Sequence, residues 1–303
     1  MTATRLATLL AVLLVAPALP GIATRTKSLL TGRRGAPVLQ LYADLAKLVR
    51  KGVVYSRTTT VVFRAAPVVL AASVLVAALL LPLDGRAPIV GFTGDLVAFA
   101  GLLGLGRFAL VLGALDTGSS FEGMGTSREV TVAAFAEPAL LLCFSVLVLV
   151  TGSLSLGGML GIPLAAAWPT AVPSLVLAAA SLFMLLLAET ARVPIDDPAT
   201  HLELTMIHEV MVLDHSGPDL ALILYAGAVK FALFAAVVVS VLVPLARLDP
   251  WVSGGVLLAG LGVIGVLVGI IEAVMARLRM DRIPQFLVAA SALAGFGVIL
   301  LLR

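Results

Sequence analysis

Apolar residues occur in blocks of about twenty, the length an α-helix needs to cross the hydrocarbon of a bilayer. Eight such blocks are present, at roughly 5–22, 65–83, 95–115, 131–151, 171–189, 219–246, 252–275 and 284–302. The polar segments between them are short, and 23–64, 116–130, 190–218 and 276–283, which include the two longest, fall on one side of the alternation. The pattern predicts an all-α integral membrane protein, a single membrane domain over 1–303 with eight transmembrane helices.

Two further helices are predicted outside the spans. Val38, Leu41, Tyr42, Leu45, Leu48 and Val49 follow the i, i+3, i+4, i+7 spacing, with Gln40, Asp44 and Lys47 on the other face. Pro37 starts this segment and Gly52 ends it, so it reads as an amphipathic helix lying in the membrane interface. In the 190–218 loop, Pro194 and Pro198 forbid a continuous helix. Thr200 and Glu203 fit a capping box, which predicts a loop helix over about 198–213.

Composition agrees with the block pattern. Hydrophobic residues make up 61% of the chain and charged residues 12%, where a soluble domain carries about a quarter charged. Basic residues then orient the bundle, because the cytoplasmic side retains them. Fourteen lie on the side of the long loops, among them Arg25, Lys27, Arg33, Arg34, Arg128, Arg192 and Arg277, against four on the other, Arg5, Arg86, Arg247 and Arg303. Both termini are expected on the non-cytoplasmic side, with the 190–218 loop in the cytoplasm. The four positive charges that follow the first apolar run favour a retained span over a cleaved signal sequence. The net charge of +3 thus follows from topology and gives no ground for a nucleic-acid partner. Cys143 is the sole cysteine and lies within a span, so an iron–sulfur cluster belongs to another subunit if one is used.

The most unusual stretch is Ala188 to His215, which holds six of the seventeen acidic residues and all three histidines. His201, His208 and His215 are seven apart, about 10 Å along a helix, too far for two of them to share one ion. No metal site is therefore assigned, and a proton-relay or partner-contact role fits these side chains better. Ionisable residues also recur in or near the spans: Arg107, Asp116, Glu122, Glu129, Glu137, Glu189, Lys230 and Glu272. Such groups are costly in lipid, so they are expected to pair in the bundle interior or to line a water-filled path. Gly101, Gly104 and Gly106 read as small residues permitting close helix packing. No nucleophile motif, phosphate loop or dinucleotide fingerprint is found, and no catalytic residue is assigned.

Two motifs carry a resemblance. Leu39-Gln40, Ala43-Asp44 and Lys47-Leu48 resemble the pattern after the first span of subunit 1 of respiratory complex I, the NADH:quinone oxidoreductase. Ala188-Glu189-Thr190, Arg192, Pro194, Asp196, Pro198 and Glu203-Leu204 are similar to that family's cytoplasmic loop between spans five and six. Where the complex I subunit carries further glutamates, this chain has Ala199, Thr200, His201 and Leu202, and continues in a string that resembles the membrane subunits of formate hydrogenlyase and related group 4 [NiFe] hydrogenases. Met124-Gly125, Ser127-Arg128-Glu129 and Glu137-Pro138 point to the same branch.

The resemblance implies a complex I subunit 1-like fold in the inner, cytoplasmic membrane. It implies a non-catalytic anchor that docks a peripheral arm of hydrogenase-like large and small subunits and links it to proton movement through antiporter-like membrane subunits. The chain itself would hold no cofactor; the [NiFe] centre and iron–sulfur clusters would sit in the partners. Glu189, Arg192, Pro194, Asp196, Asp197, His201, Glu203, His208 and Glu209 would form the docking and coupling loop, and Arg107, Asp116, Glu122, Glu137, Lys230 and Glu272 the intramembrane charges. A quinone-site subunit of a complex I-like oxidoreductase, and a related complex without hydrogen chemistry, stand as alternatives.

Overall fold

The first apolar run is interrupted by Pro17 and Pro20, and the chain bends there. In the computed structural model, which describes residues 2–196 and 206–302, α1 (Thr2–Val15) and α2 (Ala18–Leu30) meet at 45°. Proline has no N–H, so Pro17 leaves the Leu13 carbonyl without its helical donor. The Tyr225 hydroxyl donates to Leu13 O at 3.3 Å, and the Tyr42 hydroxyl donates to Leu14 O. Tyr42 belongs to α3 (Gln40–Val49), the predicted amphipathic helix, which has no buried residue and packs on α2 and α10. On its polar face Gln40 donates to Asp44 at 2.9 Å, and Lys47 approaches Asp44 at 4.0 Å.

Among the described residues, seven helices are long and apolar enough to cross a membrane. They are α4 (Val61–Leu80), α5 (Asp95–Asp116), α6 (Ser120–Thr151), α8 (Ile162–Glu189), α10 (Gly217–Leu242), α11 (Pro250–Val274) and α12 (Ile283–Leu301), the last extended by a 3-10 turn at Met280–Arg282. One-turn helices α7 (Leu156–Met159) and α9 (His208–Met211) lie between them. The span expected at 5–22 falls in the bent α1–α2 pair, which makes an eighth crossing only if the two helices together count as one span. The 116–130 segment, read as a loop, is mostly the first third of α6; its early start follows from the absence of any helix breaker between Ser120 and Pro138 other than glycine. The expected helix over 198–213 is also corrected. Residues 197–205 lie outside the described residues, and Met206 and Ile207 are non-helical, leaving a single turn at α9.

α10 is the centre of the bundle, with 72% of its apolar window buried, whereas the last span has 28%. It packs against α3, α4, α8 and α11, while α12 closes the far side against α6 and α8. Glycines set two of the closest approaches. A Cβ at Gly269 would lie 2.5 Å from Ala23 O and 2.6 Å from Thr26 Cβ, so α11 reaches the backbone of α2 only because that position is glycine. Of the glycines expected to mediate packing, Gly106 does so against Leu70, while a Cβ at Gly101 would meet nothing within 4 Å and one at Gly104 only the Glu137 carboxylate.

The loop before α10 is stitched to the start of α4. The Val54 N–H donates to Ser216 Oγ at 3.2 Å, and the Tyr55 hydroxyl donates to Asp219 Oδ2 at 2.8 Å. Gly217, at φ +55°, lets the turn approach Gly52 O, which a Cβ would meet at 2.7 Å. Beside this seam the His215 ring stacks on Phe63 at 3.9 Å and 6°, and both rings are buried. Neither His215 nitrogen has a hydrogen-bond partner among the described residues. Burial lowers the affinity of His215 for a proton, and the carboxylates of Asp219 and Asp214 only partly restore it.

Gly269→Ala is expected to lower the thermal midpoint, by overpacking that costs about 1–3 kcal/mol. Gly262→Ala, where a Cβ meets nothing within 4 Å, should leave it unchanged or slightly raised; equal behaviour of the two variants contradicts the close approach. Acidification gives a second test. Because the folded state holds His215 neutral, the unfolded chain binds the extra proton below about pH 6.5. Stability should thus be full above that value and decline as pH falls through it, by up to about 1.4 kcal/mol per pH unit. Thermal melts between pH 7.5 and 5.5 should show a smaller decline for His215→Phe, which keeps the stack, than for the parent chain.

Candidate functional site

Arg107 stands near the middle of α5, where an unpaired guanidinium would be untenable in lipid. It is 9% exposed, and each of its nitrogens faces a different carboxylate. Nη1 donates to Glu137 Oε1 at 2.8 Å, Nη2 donates to Glu189 Oε2, and Nε lies 3.3 Å from Glu129 Oε1. Glu129 and Glu137 come from α6, eight residues apart and so close to one face, while Glu189 is the last residue of α8. Glu189 Oε2 is shared with Lys230 Nζ, 2.6 Å away, which projects from α10. Four spans are thus tied through one cluster of three carboxylates and two cations.

A second buried pair adjoins it along the chain. Arg192 Nη1 is 3.3 Å from Glu272 Oε1 of α11, and its guanidinium lies 5.5 Å from the centre of the Phe231 ring. Asp196 then anchors the loop. It pairs with Arg277 at 3.1 Å and accepts the backbone N–H groups of Ile207 and His208, each at 3.1 Å. Those donors open the single turn of α9, so Asp196 acts as its cap from a distance of eleven residues in sequence. Arg128 of α6 donates to Met206 O at 2.8 Å, and the Leu278 N–H donates to Pro194 O at 2.8 Å. α9 also rests on α6 at Gly125, where a Cβ would lie 2.2 Å from Val210 Cγ1 and 3.0 Å from Ile207 O.

Several of these residues line a cavity of about 510 Å³. Its wall combines the polar side chains of Arg107, Glu129, Glu189, Arg192, His208 and Lys230 with the apolar ones of Leu41, Leu70, Val74, Leu103, Leu220 and Ile223. Asp196, Glu209 and His215 also reach it. Burial holds His208 below the usual histidine range, with Glu129 and Asp196 acting against that shift and Lys230 with it. The imidazole is therefore a neutral proton acceptor beside a charged cluster. Chemically the arrangement can hold protons and water; among the described residues that line it, no nucleophile is positioned by a base.

The structure sorts the residues read from the sequence. Glu137, Glu189, Lys230 and Arg107 come together, and Arg192 pairs with Glu272. Asp116 does not join them. Its carboxylate accepts the N–H of Thr60 at 2.6 Å, the Thr60 hydroxyl at 2.9 Å and the N–H of Phe63 at 3.3 Å, so it caps the start of α4. Glu122 is buried near Thr117 and Asp214 and shares no ion pair with the cluster among the described residues. Asp197, His201 and Glu203 lie outside the described residues. Glu129, named in the sequence as an acidic residue near a span and as a motif position but not among the candidate intramembrane charges, is a direct partner of Arg107. Its eight-residue spacing from Glu137 on one helix was the available signal. Gly125 and Arg128, read as family motif positions, prove to hold α9 in place.

Comparison with known proteins follows the same lines. A family model described as NADH dehydrogenase matches residues 4–302. Formate hydrogenlyase subunit 4 of Escherichia coli (strain K12) is 31% identical over 291 residues, 93% of this chain and 91% of that protein. Hydrogenase-4 component C of the same organism is 33% identical over 235 residues, 78% of this chain and 73% of that protein. A subunit of the membrane-bound sulfane sulfur reductase, an archaeal respiratory membrane complex, shares the fold with a TM-score of 0.82 over 99% of this chain and 98% of its own, at 17% identity. With its helical bundle, its paired intramembrane charges and a match over nearly its whole length, the chain belongs to the NADH dehydrogenase subunit 1-like family of membrane proteins.

Proposed function

We propose that this chain is the non-catalytic membrane anchor and coupling subunit of a membrane-bound [NiFe] hydrogenase of the formate hydrogenlyase or energy-converting type. The observation that carries the reading is the continuous connection between loop and membrane charge. The described parts of the loop on either side of 197–205 are pinned by Asp196, Arg277 and Arg128, and Asp196, with Met206 and His208, lines the same cavity as Arg107, Glu189 and Lys230. The named relatives, both hydrogenase-system subunits, support the choice of branch. In this reading α1–α2 form the eighth span, both termini lie outside the cytoplasmic membrane, and the loop faces the cytoplasm. Large and small subunits with the [NiFe] centre and iron–sulfur clusters dock there, and antiporter-like subunits continue the path laterally.

The physical basis of coupling is the low dielectric around the cluster. A change of charge in a docked partner is weakly screened there, so it shifts the proton affinity of nearby carboxylates far more than it would in water. His208, held neutral between Glu129 and Asp196, offers a proton-accepting step between loop and cluster.

The cavity favours a second reading. Its wall joins apolar side chains of α3, α4, α5 and α10, which suit a quinone tail, to polar ones, which suit a head group, and this would make the chain a quinone-site subunit.

Lys230→Gln tests the leading reading. Arg107 remains to neutralise Glu189, so the complex should assemble and the peripheral redox reaction should continue, while proton movement in proteoliposomes falls by about tenfold or more. Undiminished proton movement removes the coupling role. Quinone-dependent turnover blocked by a cavity-filling inhibitor would establish the second reading, and a co-purifying large subunit without nickel-binding cysteines would exclude hydrogen chemistry.

A further inference from the structure

Within the cluster Glu137 is the exception. Arg107, Glu189 and Lys230 are buried, but the Glu137 side chain is 56% exposed. It is not part of the cavity wall, so the exposed side of the carboxylate lies on the outer surface of the bundle. Its depth is fixed by its partner. At 1.5 Å per residue Arg107 lies about 18 Å from the start of α5 and about 14 Å from its end, and Glu137 is bonded to it at 2.8 Å. The carboxylate therefore sits inside a hydrocarbon layer about 30 Å thick, where exposure of an ionised group to lipid is costly.

The surface around it has a shape and a polarity. On α5, Gly101, Leu105 and Phe108 are exposed, and on α6, Ala134, Pro138 and Leu141. A Cβ at Gly101 would meet nothing within 4 Å, and one at Gly104 only Glu137 Oε1 at 3.6 Å. The two glycines leave a shallow groove between the helices with the carboxylate at its edge. Pro138 adds a second acceptor, since it lacks the N–H that would bond the carbonyl of Ala134. Both polar groups presented here accept hydrogen bonds. The three carboxylates of the cluster outnumber its two cations, so the face also carries one formal negative charge in excess.

We propose that the α5–α6 face around Glu137 docks a transmembrane helix of a different membrane subunit, which presents a Lys, Arg or protonated His side chain to Glu137 at mid-membrane depth. Lipid tails supply no donor. A second copy of this chain related by a two-fold axis through the face would bring a second carboxylate and raise the charge excess. A foreign helix with a cationic donor meets both requirements, and the glycine groove admits it at close range. This inference rests on the chain being one subunit of a membrane complex, and it adds where that complex continues and what the neighbour must carry.

The test uses the intact complex in its native membrane, with a photo-crosslinking phenylalanine derivative at Leu105, or at Val263 of α11 as a control on another exposed face. The Leu105 adduct should map to a spanning segment of another membrane subunit, with a Lys, Arg or His within one helical turn of the crosslinked residue. Glu137→Lys should release that subunit in mild detergent, and exchanging the mapped cation for Glu in the same background should restore it. Adducts to lipid only, to a second copy of this chain, to a peripheral subunit or to a helix lacking a cationic residue overturn the proposal, as does retention of the neighbour in Glu137→Lys. The identity of the peripheral subunits in the same preparation reports separately on the hydrogenase reading. A correct docking face in a complex without a nickel-binding large subunit would leave this inference standing and that reading lost.

Discussion

A single guanidinium organises the polar interior. Arg107 cannot be left alone in the middle of a span, and its three nitrogens draw carboxylates from two points on α6 and from the end of α8. Once Glu189 is committed to Arg107, Lys230 of the central helix α10 finds its partner on the same oxygen. Without this cluster the four spans would still pack, since their apolar faces are ample, but their rotations about their own axes would be less closely specified. Ion pairs of this kind add little net stability over an apolar core, because desolvation offsets attraction. Their contribution is register, and with it a polar wall for the cavity.

The loop that follows α8 inherits its position from the cluster. Glu189 ends the helix, Arg192 turns inward to Glu272, and Asp196 reaches forward to Ile207 and His208 and sideways to Arg277. Within eight residues the chain passes from mid-bundle charge to a pinned surface turn. This sequence of contacts gives the spacing of Glu189, Arg192 and Asp196 a mechanical meaning. Each residue fixes a different neighbour, while Pro194 between them accepts from Leu278 and Val193 and Ile195 are buried in the core.

Much of this was legible in the chain, and the rest was hidden for definable reasons. The seven long helices follow from block length alone, because lipid enforces internal backbone bonding. The α3 helix followed from its period. Arg107, Glu137, Glu189 and Lys230 were recognisable because ionisable residues inside apolar blocks are rare. Their sorting was not, because pairing depends on helix rotation, which a one-dimensional pattern does not carry. Asp116 illustrates this: at the end of one span it resembled an intramembrane acid, yet the nearest unsatisfied donors were the N–H groups opening α4. The start of α6 was misplaced because its first turns are polar, and hydropathy reports lipid contact, not helicity. The bend at Pro17 was visible as proline, but its repair by Tyr42 and Tyr225 involves partners far away in sequence.

That repair ties the surface to the interior. α3 lies on the outside of the bundle with no buried residue of its own, yet its tyrosine is bonded to the bend, and Leu41 beside it and Pro20 beyond the bend both line the cavity. A helix with no buried residue of its own is thereby made part of a chamber wall. Any displacement of α3 is delivered through Leu41 and Tyr42 both to the lining of that chamber and to the bend, so an exposed element becomes one of the variables that set what the cavity admits.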